Sequence, residues 1–222
     1  MGDRRPRSSR CAPAAGRRAN RRRQWRHPDP SRCPGAKLNL DEMDSSLSVI
    51  DVASGQIVRQ HRLDPALFQL SIRHLVVGRD GTVAFIMQYE GASDELVPLG
   101  GLLRPSGEVT LLDMPRDGLA DLRNYCGSGA VDAAGETFGM TSPRGGHAAF
   151  FRFADGRFLG SVGLSDVCPI AADPAGAGRF YLGGGHGGIE RVTPESGSVE
   201  ALASDLARKS LWDNHMAVAI PA

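Results

Sequence analysis

Fourteen residues carry whatever chemistry this chain can do. They fall in short clusters: Arg73-His74, Gln88-Tyr89-Glu90, Arg123-Asn124-Tyr125, Arg144, His186 and Trp212-Asp213-Asn214-His215. Imidazole nitrogens bind transition metals, so His74, His186 and His215 could converge on an ion, with Glu90 or Asp213 supplying oxygen. No local His-x-x-x-His spacing supports that, and no metal ligand is assigned. Arg73, Arg123 and Arg144 could grip an anion, because a guanidinium fork matches carboxylate and phosphate. The competing reading for each is an ion pair that ties structural units together. No catalytic constellation is legible. Ser128 sits in Cys126-Gly127-Ser128-Gly129, which is not the G-x-S-x-G elbow of a nucleophilic serine. Gly183-Gly184-Gly185-His186-Gly187-Gly188 matches the dinucleotide fingerprint in form. That fingerprint must open a helix, whereas an apolar run (189–192) and a Pro194–Gly197 turn follow here. The stretch therefore reads as a loop needing positive φ. Cys126 and Cys168 are 42 residues apart and read either as a disulfide or as two small buried apolar residues.

The elements that must position these residues are β-strands. Ala53-Ser54-Gly55, Pro105-Ser106-Gly107, Ala154-Asp155-Gly156 and Glu195-Ser196-Gly197 each sit between apolar runs, with glycines 52, 49 and 41 residues apart. That is a hairpin signature. A second series interleaves with it: Arg79-Asp80-Gly81, Ala134-Gly135 and the 174–178 turn. Two hairpins per period of 40–50 residues make four strands, the pattern of a propeller blade. The chain lacks the helical segments that a parallel α/β sheet needs; short helical turns are expected near 64–70 and 118–123. The fold class is all-β, a partial β-propeller of about three and a half four-stranded blades. The polar clusters are expected in loops before the first strand and after the second strand of each blade. Those loops open on one face around the channel, where they either cap the blades or bind a ligand or partner. In a closed propeller a last strand at 216–220 would complete the first blade; here that blade is expected to be absent, leaving the strand without a native partner. An open arc exposes sheet edges, so poor solubility or oligomerisation is expected.

Further motifs narrow the family. Lys37-Leu38-Asn39-Leu40-Asp41-Glu42-Met43, Gln69-Leu70-Ser71-Ile72-Arg73-His74-Leu75, Gln88-Tyr89-Glu90-Gly91, Thr141-Ser142-Pro143-Arg144-Gly145-Gly146 and Trp212-Asp213-Asn214-His215 together resemble the C-terminal half of the domain of unknown function 1513 family, over residues 36–220. The resemblance implies an exported bacterial protein with a seven-bladed, quinoprotein-amine-dehydrogenase-like propeller. It also implies a periplasmic location and genes beside imelysin-like iron-uptake components. The function it implies is an uncharacterised ligand- or protein-binding scaffold, with no cofactor identified. The alternatives are a channel-mouth enzyme of lactonase or quinoprotein-dehydrogenase type, or a nonfunctional truncated product.

The first 36 residues differ from the rest. They hold 11 Arg, no Lys and two Asp, a net +9, while residues 37–222 hold 15 basic and 23 acidic side chains, a net −8. Such asymmetry suggests either a disordered basic arm for nucleic acid or membrane surface, or no designed segment at all. The Arg-, Pro-, Ala- and Cys-rich composition is that of a GC-rich gene translated out of frame. Shifted by one nucleotide, 23–34 can encode Ala-Asn-Gly-Gly-Ile-Arg-Thr-His-Pro-Asp-Ala, which resembles the same family. Two regions are expected: 1–36, a disordered basic segment from a shifted frame, and 37–222, the propeller part. No nucleic-acid partner is expected unless the basic segment is genuine. No run of 18 apolar residues is present to span a membrane, and the start lacks the apolar stretch of a secretory signal. The chain as given therefore reads as cytoplasmic or of unknown location. Sequencing the gene across codons 1–37 should reveal a one-nucleotide shift that opens a frame encoding further blades; an intact frame would make the basic arm real.

Overall fold

The computed structural model describes residues 40–219. The segment expected to be out of frame, 1–36, lies outside the described residues. The first sheet is a half-blade, β1 (Ser46–Ile50) and β2 (Ile57–Arg62). Blade I holds β3 (Leu70–Val77), β4 (Val83–Tyr89), β5 (Gly100–Leu103) and β6 (Val109–Leu111). Blade II holds β7 (Ser128–Val131), β8 (Thr137–Ser142), β9 (His147–Arg152) and β10 (Phe158–Gly163). Blade III holds β11 (Val167–Ala172), β12 (Phe180–Gly184), β13 (Ile189–Thr193) and β14 (Ser198–Ala201). Each blade is an antiparallel meander in chain order. Two short helices intervene, α1 (Arg116–Asp121) between blades I and II and α2 (Asp205–Lys209) after blade III. The fold is a partial β-propeller, all-β as expected.

The hairpin turns form where the sequence places glycine. Gly55, Gly81, Gly107, Gly135, Gly156, Gly178 and Gly197 all have φ between 66° and 94°, a region that L side chains enter only at a cost. These turns close the first and third hairpins of each sheet at one end. The loops between second and third strands, and between blades, therefore gather at the other end.

Blades pack by setting a large side chain of one over a glycine of the next. A Cβ on Gly129 of β7 would lie 2.1 Å from Cδ1 of Ile86 in β4, and one on Gly139 of β8 would lie 2.6 Å from Cδ1 of Ile170 in β11. Gly78 leaves room for the Phe153 ring in the same way. The rings of Phe138, Phe151 and Phe153, all from blade II, meet in the core cluster shared with blade I, and Phe150 meets Phe180 between II and III. β4 is buried on both faces as a result, which explains its unbroken apolar run.

Two expectations are corrected. Arg73 and His74 lie inside β3, and Gln88 and Tyr89 inside β4, not in loops. The inner strands run on because Gln88 forms a bridge with Tyr125 that carries pairing past the apolar run. The segment 216–219, expected to lack a partner, has no regular structure. A strand needs an edge to pair with. Here Trp212 and Met216 rest instead against Gly183.

Asp132 ties blade II to blade III. It is buried, and its carboxylate accepts from the backbone N–H groups of Glu136 and Thr137, both at 2.9 Å, of Ala134 at 3.1 Å, and of Gly178 in the next blade at 2.8 Å. Burial pushes its pKa up, but the four N–H donors together outweigh that and hold it below the ordinary value. A depressed carboxyl stabilises the fold above the unfolded pKa of about 3.9 and loses that contribution as pH falls through the folded value. Asp132→Ala should lower stability by about 2–3 kcal/mol at pH 7. Urea unfolding against pH should show the gap between wild type and variant closing below about pH 4.

Candidate functional site

The loop end of the junction between blades I and II gathers eight of the fourteen singled-out residues. α1 ends at Leu122, and the chain turns through Arg123 and Asn124, both left-handed at φ 46° and 55°. Asparagine tolerates that region; a β-carbon normally makes it costly. The turn lets the Asn124 carbonyl accept the Tyr89 N–H at 2.9 Å. It also sends the buried Asn124 amide into the 90–99 loop, where Nδ2 donates to the Glu95 carbonyl at 2.9 Å. Gln88, also buried, donates through Nε2 to the Cys126 carbonyl at 3.2 Å. The Tyr89 hydroxyl bonds the Glu95 carboxylate, which raises the phenol pKa. Arg73 pairs with Glu90 at 3.3 Å within blade I, so its ion pair ties two strands of one sheet. The Arg144 guanidinium lies over the Tyr125 ring, its central carbon 4.0 Å from the centroid.

A second group forms where the C-terminal residues cross the inner strands. The rings of His74 and His215 meet edge to face at 4.9 Å. Burial lowers the His74 pKa first and the neighbouring His215 lowers it further, against a backbone hydrogen bond at Gly127. Asp213 is close enough to raise the Cys168 thiol, which burial and Asp166 raise more; together they push it up to about 11. Asp213 also accepts the Asn214 N–H at 2.8 Å, and Trp212 packs on Gly183.

His186 stays apart. It is exposed in the turn between β12 and β13, and the three histidines do not converge. Among the described residues no group of three or more His, Cys, Asp and Glu could hold a metal ion. The Gly183–Gly188 stretch runs directly into β13, with Gly187 and Gly188 at positive φ, as a hairpin loop and not the mouth of a helix. Cys126 and Cys168 are free and buried. Their spacing is that of equivalent positions in successive blades: each backbone carbonyl accepts a side chain from the second strand of the blade before it. Gln88 bonds Cys126 at 3.2 Å, and Thr141 bonds Cys168 at 2.6 Å. Burial raises the Cys126 thiol far above its ordinary value, which removes it as a nucleophile.

Sequence reasoning missed Glu95, which holds both Tyr89 and Asn124, because an acidic residue in a ten-residue loop gives no local signal. Asp132, at the end of the run before the Ala134-Gly135 turn, gave no sign of its role.

The sequence profile of the family described as "Protein of unknown function (DUF1513)" matches residues 26–219. The chain belongs to this family. No curated protein matches this family member in sequence. Among solved structures it is similar to the hydrazine synthase of Kuenenia stuttgartiensis, at 15% identity and a TM-score of 0.48, over 74% of this chain and 53% of that one. It is similar to a chain of a nidogen/laminin complex at 19% identity and TM-score 0.44, over 72% and 58%, and to the RRP9 WD40 repeats at 15% and 0.46, over 66% and 43%. The chain thus spans about half the length of these structures.

The Asn124 turn yields a direct test. Asn124→Ala keeps the left-handed strain and loses the amide bonds, so it should cost about 1–2 kcal/mol and speed amide exchange at residues 92–95. Asn124→Gly relieves the strain and should fall between the two in stability, with equally fast exchange in the loop. Hydrogen-exchange mass spectrometry checks both.

Proposed function

We propose that this propeller is a binding module. Its working surface in this reading is the loop face between blades I and II, and its ligand is anionic. The observation that supports this is Arg144. Its guanidinium is backed by Tyr125 at 4.0 Å and has no carboxylate partner among the described residues. A guanidinium held over a ring keeps N–H groups for a second partner. Arg123, exposed two residues from Tyr125, adds positive charge to the same loop without an ion pair among the described residues. Arg73 is less suited, because Glu90 already neutralises it.

In this reading the protein works outside the cytoplasmic membrane, in an iron-acquisition setting. The support for that part is the gene setting and export that the family resemblance implies. A carboxylate-binding face is chemically compatible with it, since polycarboxylates chelate ferric ion. The channel-mouth enzyme has no observation in its favour. Among the described residues no serine, threonine or cysteine is hydrogen-bonded to an imidazole.

Calorimetric titration with citrate tests the reading. The wild-type chain should bind citrate saturably, and Arg144→Ala should weaken it at least tenfold, about 1.4 kcal/mol. Equal affinity in the two proteins, or no heat at millimolar citrate, would sink the anion assignment.

A further inference from the structure

Residues 211–219 cross the blades without regular structure. Among the described residues their backbone makes no hydrogen bond to any blade; the Asn214 N–H turns to Asp213 within the segment. Side chains hold the segment at two places. At one, Trp212 and Met216 fill the hollow over Gly183, where a Cβ would lie 2.8 Å from Cγ of Trp212 and 3.2 Å from Cε of Met216. The indole N–H of Trp212 is buried there with no acceptor among the described residues, a cost that opening would remove. At the other, the ring of His215 meets that of His74 in β3 edge to face at 4.9 Å. His74 is half-buried and bonds the Gly127 backbone as well, so its ring is fixed between blades I and II.

We propose that residues 211–219 are a strap that the His74–His215 contact keeps closed while both rings are neutral and opens when they take up protons. Neutral imidazoles pack edge to face. Two imidazolium rings at this separation repel, and the one on β3 gives up hydration as well. The other charged groups nearby do not offset this. Arg73 on the same strand is paired with Glu90, and Arg208 and Lys209 of α2 lie against Asp205. Residues 126–131 carry no charged side chain, and the buried Cys126 thiol stays protonated. Asp166 and Asp213 act on Cys168 of β11. Asp213 travels with His215 on the strap, so its attraction for that ring is present in both states. Burial, and then His215, lower the His74 pKa in the closed state. Opening removes His215 and returns His74 toward the ordinary value of about 6.5. The open state therefore binds more protons. Closure is complete above about pH 6.5 and weakens as pH falls below it. Opening uncovers the Gly183 hollow and the His74 side of β3.

Trp212 reports the state of the strap. The chain's other tryptophan is Trp25, so Trp25→Phe leaves Trp212 as the sole emitter. Its emission should be constant above about pH 7 and move reversibly to the red between about pH 6.5 and 5, with unchanged far-ultraviolet circular dichroism. In the same background, His74→Asn with His215→Asn should keep the high-pH emission and lose the red shift. His147→Asn, which alters a histidine away from the strap, should leave the shift in place. Proton NMR of the Trp25→Phe chain needs no histidine variant: an imidazole resonance should titrate with the midpoint of the emission change. Four results would overturn the proposal: no red shift down to about pH 5, a shift that the double variant keeps, loss of dichroism over the same range, or no imidazole resonance sharing the midpoint. The second would assign the transition to other groups, and the third to unfolding of the blades.

Discussion

Glycine opposite a bulky apolar side chain is the contact on which this structure rests. Ile86 over Gly129, Ile170 over Gly139 and Phe153 over Gly78 bring successive sheets close enough for the phenylalanine rings to meet. Packing of this kind is close, because an added methyl group at the glycine would overlap the partner side chain, which would then have to shift. It also sets the blade-to-blade angle, so the loops at one end converge while the glycine turns at the other stay short. The polar cluster at the blade I–II junction exists because the apolar contact beneath it holds two loops at a fixed separation.

The hydrogen bonds then lock a geometry that packing has chosen. At the loop end, Gln88 and Thr141 each reach a cysteine carbonyl in the following blade. At the turn end, Asp132 accepts from Gly178, and Arg104 reaches the Ala154 carbonyl at 3.1 Å. Both ends of each interface are therefore pinned by groups that would be costly to bury unpaired. With the scaffold pinned, the few side chains left over at the loop end stand out. Arg123 and Arg144 have no ion pair among the described residues, whereas Arg73 at the same end does. That contrast, more than exposure, is what supports the proposed binding reading of this face.

Much of the fold was legible because the signal is local. A glycine after a short polar run, flanked by apolar residues, fixes a hairpin without reference to anything distant, and all seven such glycines adopt positive φ. The site was legible only as a list of residues. Arg73, His74, Gln88 and Tyr89 were expected in loops, because polar side chains next to an apolar run suggest that a strand has ended. They stay in strands because their backbone groups find partners across the blade junction, a nonlocal fact. The contact of His215 with His74 spans most of the chain and has no sequence signal. α2 was missed although its cue is local: Ser204 caps it by accepting the Ala207 N–H, and Asp205 faces Arg208.

The C-terminal residues show how strand formation depends on a receiving edge. Residues 216–219 have the apolar character of a strand, but of one expected to lack its partner blade. Sheet hydrogen bonds are made between segments, so propensity alone cannot produce them. The edge of the half-blade belongs to the other end of the arc. What the segment finds within reach is the floor of blade III, where Gly183 leaves a hollow that accepts Trp212 and Met216, and then the inner strand of blade I, where His215 meets His74. It therefore packs by side chains where it would otherwise pair by backbone. Among the described residues, the apolar segment 216–219 pairs with no edge and the β1 edge pairs with no strand but β2. Exposed apolar residues accordingly concentrate at the ends of the arc, at Val49, Ile50 and Val58 on one side and Leu206, Leu211 and Val218 on the other, while the junctions between full blades expose almost none.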